Sequence, residues 1–179
     1  HNQTTDIERS ITYYRYDSTL PGDIVINEFL YKGEPEFVEL YNRSGKTVNL
    51  KNWTLADRNS YTALFKSQTR TRPARSIQSS IPMLPDAYIA LTGDRELALS
   101  HPDIYYIDGF PSLNNSRESI SIHDERNNTI DSLHYDSRRW ATGSDQSLER
   151  KDPGAGSADP TNWSPSPADY SPGRPNLNY

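Results

Sequence analysis

Residues 23–57 read DIVINEFLYKGEPEFVELYNRSGKTVNLKNWTLAD, and their pattern decides the fold. Ile24, Val25, Ile26, Phe29 and Leu30 form an apolar, β-branched run too continuous for a strand with one wet face. Lys32 to Pro35 is a turn. The stretch from Glu36 to Tyr41 then alternates, with Val38 and Leu40 on one face and Glu36, Glu39 and Tyr41 at polar or edge positions. Asn42-Arg43-Ser44-Gly45 is a second turn, and Val48, Leu50, Trp53 and Leu55 are a third apolar set. Period-two alternation between turn clusters predicts antiparallel strands.

Working outward, His1 to Ser10 is polar. ITYYRY at 11–16 is β-prone and reads as an edge strand, or as the last strand of a preceding domain. It is the best candidate for adding to a partner's sheet edge. Leu20-Pro21-Gly22 links it to the organising stretch. Beyond Asp57, a long connection runs from Arg58 to Ser80. Tyr61 to Phe65 is a candidate strand, and the polar 67–80 segment has a length typical of functional or partner-ordered loops. Ala87 to Thr92 predicts a buried strand. Asp94 to Ser100 predicts one short helix, capped by Thr92 or Asp94 and stopped by Pro102. Ile104 to Ile107 is a short strand. Ser119 to His123 and Thr129 to Tyr135 predict a hairpin with a loop of about four or five residues. Trp140 to Asp145 reads as a loop and Ser147 to Arg150 as a strand. From Lys151 the chain carries Pro153, Pro160, Pro165, Pro167, Pro172 and Pro175, which predicts no further ladder. With Trp163 and Tyr170 in it, that segment is expected to lie on the sandwich as an extended arm. The expected organisation is an arm at 1–21, a β-sandwich at 22–150 with an insertion at 58–80, and a Pro-rich arm at 151–179.

The 179 residues suffice for one sizeable domain plus arms, and the 33% hydrophobic content implies a modest core. A net charge of -5 argues against general phosphate-backbone binding, and Arg70, Arg72 and Arg75 read as a solvated loop. No cysteine is present, so disulfides and thiolate metal sites are excluded. Tyr outnumbers Phe by 12 to 4, which suits half-exposed strand faces where the ring packs and the hydroxyl stays wet. A chain starting at His1 is read as processed or truncated; removal of a signal peptide would leave this appearance, and an extracellular or cell-surface setting is expected.

Taken in order, GDIVINEF (22–29), EFVELYNRSGKTVNLKNWTL (36–55), LPDAYIALT (84–92), SISIHDERNNTIDSLHY (119–135), SLERKDP (147–153), NWSPS (162–166) and SPGRPN (171–176) resemble the lamin-tail domain. The C-terminal pieces are similar to its bacterial branch. The first twenty residues and 58–80 fall outside the pattern. The resemblance implies an all-β, immunoglobulin-like antiparallel sandwich with extended N- and C-terminal arms. It implies no catalytic residues, and an accessory role beside extracellular modules.

The chemistry in the sequence is sparse. His123 and His134 are expected to face each other across the hairpin, where a zinc site would need Asp124 or Asp136 as well; ordinary polar strand positions are the other reading. No HExxH and no GxSxG is present. Glu28 sits in an otherwise apolar strand, where a charge must be paired or neutralised. It reads either as a catalytic acid or as a structural carboxylate held by backbone N–H groups or an arginine. Arg150 is the expected partner, since the resemblance places both motifs in one sheet. Asp145, Asp152, Asp159 and Asp169 lie in loops that could offer oxygen ligands to Ca²⁺, without EF-hand spacing. Trp53 is expected to be the core plug of the sandwich. Trp140 and Trp163 are expected in loops, either as an aromatic binding platform or as covers for its open ends. The expectation is therefore a non-enzymatic module without cofactor that binds another protein or a neighbouring domain. The alternative is a carbohydrate-binding accessory domain of a secreted hydrolase system.

Overall fold

The computed structural model describes residues 14–57, 61–64 and 81–178. Strand β1 (Ile24–Leu30) is buried at every position, as its unbroken apolar run requires. It pairs antiparallel with β2 (Phe37–Asn42) across a turn that holds a cis Glu34–Pro35 peptide. A bulge between Ile26 and Glu28 shifts the register by one. That shift lets Ile24 and Ile26 before it and Phe29 after it all enter the same core. Without it, the period-two rule would turn one set away from the core.

The third apolar run does not continue the meander. Val48–Asn49 (β3) pairs with Pro82–Met83 (β6) in a small ribbon, and Thr54–Ala56 (β4) crosses to a second sheet. The chain turns between them through Asn52, at φ 64°, with Trp53 N–H on the Leu50 carbonyl. The free side of β2 is taken instead by β7 (Tyr88–Thr92).

The first sheet has six strands, in the order β12 (Trp163–Pro165), β11 (Leu148–Arg150), β1, β2, β7, β8 (Ile104–Tyr106). Only β7 and β8 are parallel, and helix α1 (Arg95–Ser100) makes that crossover. Asp94 caps α1, its carboxylate accepting from Leu97 N–H at 2.7 Å. The second sheet runs β10 (Thr129–Asp136), β9 (Arg117–His123), β4, β5 (Tyr61–Ala63). The two sheets face each other over Ile26, Phe29, Leu40, Trp53, Leu91, Ile122 and Leu133, so the chain is an all-β, immunoglobulin-like sandwich. Trp53 is fully buried and is the largest such side chain.

The Pro-rich segment does contribute a strand, contrary to the expectation from its composition. Trp163–Pro165 pairs with β11 at the sheet margin, where Pro165 has no outer neighbour to miss its N–H. At the N-terminus, 11–13 lie outside the described residues, and 14–16 belong to no strand. The 67–80 segment, expected to be a functional or partner-ordered loop, also lies outside the described residues. No helix among the described residues is long and apolar enough to cross a membrane.

Candidate functional site

The outer face of the six-stranded sheet is covered by two unlike devices. At one end, α1 sets Leu97 on a small cluster of Leu30, Phe37, Ala90 and Ile104. Over the middle lies the C-terminal arm, residues 166–178. A segment resting on a sheet face cannot join its ladder, so its peptide N–H groups need side-chain acceptors. Three glutamates supply them. Glu149 of β11, Glu28 of β1 and Glu39 of β2 are direct cross-strand partners, and all three are fully buried.

The bonding along this row is dense. Ser171 N–H donates to Glu28 Oε1 at 2.8 Å and Gly173 N–H to Glu39 Oε2 at 2.6 Å. Leu177 and Asn178 N–H both donate to Glu149 Oε2, at 2.9 and 3.0 Å. Ser147 Oγ–H donates to Glu28 Oε1 at 2.5 Å. Asn27 Nδ2 bridges Glu39 and Asn176, and Asn176 Nδ2 returns to the carbonyls of Asn27 and Arg150. Gly173 lies at φ +79°, and a Cβ there would come within 2.6 Å of His101 Nδ1, so the arm needs glycine at this point. Burial, with the nearby Glu149 charge, pushes the Glu28 carboxyl up to about 7 against the pull of Ser147 and Ser171. Burial and the Glu28 charge hold Glu39 well above the usual carboxylate range. Among the described residues every donor to the row is neutral and none of the three glutamates enters an ion pair.

The structural reading of Glu28, a carboxylate held by backbone N–H and hydroxyl groups, is therefore the one that fits. A catalytic acid would have to meet a substrate, and Glu28 is sealed beneath the arm. Arg150 is not its partner. Glu149 stands beside Glu28, and successive strand residues point to opposite faces, so Arg150 turns to the inner side of the sheet. There it is fully buried and pairs with Asp131 at 3.1 Å.

The remaining candidates are scattered. His123 opposes Thr129 at the mouth of the hairpin and His134 opposes Ser119, because the five-residue loop 124–128 and a bulge at Thr129/Asp131 fix a register that keeps the two rings apart. Each ring sits by a neighbouring hydroxyl: Ser119 Oγ is 3.1 Å from His134 Nδ1, and Ser121 Oγ is 3.0 Å from His123 Nε2. Asp145, Asp152 and Asp159 each spend a carboxylate oxygen on a nearby N–H, of Glu34, Gly154 and Thr161 respectively. Asp169, at φ 61°, offers its backbone carbonyl to Ser147 N–H. No group of three or more His, Asp or Glu placed to hold a metal ion occurs among the described residues. Trp140 and Trp163 are both buried, with ring centroids 5.6 Å apart, and pack on Phe29. They are covers for the core and not an exposed platform, which removes the ring pair on which the carbohydrate-binding alternative rested. A cavity of about 440 Å³ lies between Tyr16–Thr19, Asn49–Asn52 and the hairpin loop, and is mixed in charge.

One detail of the Asp145 turn is testable. Gly33 has φ +103°, and a Cβ on it would collide with Asp145. Gly33→Ala is expected to lower stability by about 2 kcal/mol, read as a lower urea midpoint with unchanged slope. An unchanged midpoint would show that the 33–145 contact is dispensable.

Sequence reading singled out Glu28 but not Glu39, Glu149 or Ser171. Glu39 lies between Val38 and Leu40, while Glu28 and Glu149 each have one apolar strand neighbour, Phe29 and Leu148, and that was visible. Their alignment depends on register, which a single sequence does not show.

A family model described as Lamin Tail Domain matches residues 17–137. Comparison with curated proteins gave no match. Glu28 and Glu39 lie inside the matched stretch, while Glu149, β12 and the arm lie beyond its end.

Proposed function

Because the chain belongs to the lamin tail domain family, whose immunoglobulin-like modules generally serve protein interaction, we propose that it is a non-catalytic binding module of an extracellular or cell-surface assembly. Its partner is an extended segment of another protein or of a neighbouring domain. The net charge of -5 sets this partner apart from nucleic acid. The observation that carries the reading is the margin of the second sheet. β10 is eight residues long and pairs with β9 on one side only among the described residues. It contains no Lys or Pro, the residues that commonly block such margins. Its first residues are occupied: Gly22 N–H donates to the Ile130 carbonyl, and Ile26 N–H to Asp131. Farther along, Ser132 N–H turns to the Asp131 carboxylate on the exposed side, and the two-residue period gives His134 N–H the same outlook. An incoming strand would pair there.

The test is substitution of the outward N–H. His134→Pro removes one outward donor and none from the β9 ladder, so the fold is expected to survive. The partner is isolated by co-purification from the native envelope fraction, and binding of wild-type and variant chains is then compared. Binding is expected to fall roughly tenfold or more, and hydrogen exchange of 132–136 should slow in the complex. A partner that protects a different surface, or that holds the variant as well as wild type, excludes the β10 margin.

A further inference from the structure

We propose that residues 166–178 form a proton-held latch: the arm stays closed over the sheet while the Glu149–Glu28–Glu39 row shares a proton, and lifts as that proton is lost. The argument starts from one hydroxyl. Ser171 Oγ lies 3.1 Å from Glu28 Oε2 and 3.1 Å from Glu149 Oε1. A serine hydroxyl has one proton and can donate to only one of them. For the second contact to be a hydrogen bond, the other carboxyl must carry a proton and donate to Oγ. If neither did, two buried anions would face one another across adjacent strands with no cation between them, an arrangement that is costly in a dry site. Ser171 belongs to the arm, so the shared proton and closure are one event.

The other ionisable groups nearby do not replace that proton. The arm itself brings Asp169, Tyr170 and Arg174, whose side chains are exposed. The end of α1 brings His101, which abuts Gly173 and lies 3.8 Å from Asp103. The helix packs here through Leu97 and Ala98, while its Arg95 lies over the Tyr106 ring. β7 places Ala90 beside Glu39, and β12 offers no ionisable group. Arg150 is on the opposite face of β11, paired with Asp131.

The direction with pH follows. When the arm lifts, Glu28 and Glu39 meet water and their carboxyls return toward the ordinary value of 4.5, whereas under the arm Glu39 is held well above it and Glu28 stands at about 7. Closure therefore takes up a proton across that window. The latch is at full strength below 4.5, weakens as pH rises, and has lost this contribution above about 7.

Hydrogen exchange on the full chain tests it. Protection of the Ser171, Gly173 and Leu177 amides, corrected for the intrinsic pH dependence of exchange, is expected to fall by up to about tenfold per pH unit between about pH 5 and pH 7. Core amides in β9 and β10 serve as the control for global opening. In Glu28→Gln the side-chain amide takes the place of the shared proton and donates to Ser171 Oγ, so the fall should flatten. Ser171→Ala leaves the sheet residues untouched and carries the test should Glu28→Gln not fold. It should lower arm protection about tenfold at about pH 5. Flat wild-type protection, a Glu28→Gln slope equal to wild type, or Ser171→Ala protection equal to wild type would each overturn the latch.

Discussion

Arg150→Ala is expected to lose about 3–5 kcal/mol of folding free energy, seen as a large drop in the urea midpoint. Arg150 is wholly buried at one margin of the sandwich, where it joins four segments. Its Nε donates to the Ile26 carbonyl at 2.7 Å, the residue where the β1 bulge begins. Nη1 donates to the Ala155 carbonyl at 3.0 Å, and Nη2 to Asp131 at 3.1 Å and Ser157 Oγ at 2.5 Å. Its guanidinium also lies 5.0 Å from the centre of the Trp163 ring. Asp131 belongs to the second sheet and accepts Ile26 N–H at 2.8 Å, so arginine and aspartate together bond both peptide groups of Ile26. Truncation leaves the partly buried Asp131 carboxylate short of its cation and the fully buried Ile26 short of a donor for its carbonyl. Arg150→Lys keeps the charge but not the planar fork, and should fall between wild type and alanine. An alanine variant within about 1 kcal/mol of wild type would mean that the clasp adds little beyond its own desolvation.

That clasp also shows where sequence reading stops. The local elements were legible because local chemistry fixes them. The run at Ile24 to Leu30 could only be a doubly covered strand. Of the two caps expected for the helix, Thr92 and Asp94, it is Asp94 that accepts Leu97 N–H. Asp124 closed the hairpin loop by accepting from Arg126 and Asn128 N–H. What stayed hidden depends on one-residue parity and on pairing between distant strands. Arg150 was identified as a buried charge's partner, but the charge is Asp131 of the other sheet and not Glu28, because position 150 is one step out of phase with the row. The apolar set from Val48 to Leu55 looked like the next strand of a meander, yet nothing in its alternation says that β4 leaves for a different sheet. The arm's prolines rightly discouraged a central strand and concealed a marginal one. The glutamate row needed all of these placements at once, and so only its first member stood out.

The second large effect is at the centre. Trp53→Ala is expected to cost about 3–5 kcal/mol, a large share of the ~5–15 kcal/mol typical of a domain, so much of the variant should be unfolded at physiological temperature. The indole is fully buried in the core that both sheets share, just ahead of β4, and the backbone around it is fixed by Leu64 N–H on the Trp53 carbonyl at 2.6 Å. A void of that size cannot be refilled by neighbours already held in two hydrogen-bonded sheets. The ring carries one further signature. Among the described residues its Nε1–H has no acceptor, although it is shut off from solvent. A buried donor without a partner costs about 1–3 kcal/mol. Trp53→Phe removes that donor together with part of the volume, so its loss should be well below that of alanine. Circular-dichroism melts and urea titrations of the two variants decide the matter. An alanine variant that melts with wild type would take the indole out of the core. A phenylalanine variant as damaged as alanine would show that the packing needs the whole bicyclic ring and gains nothing from losing the N–H.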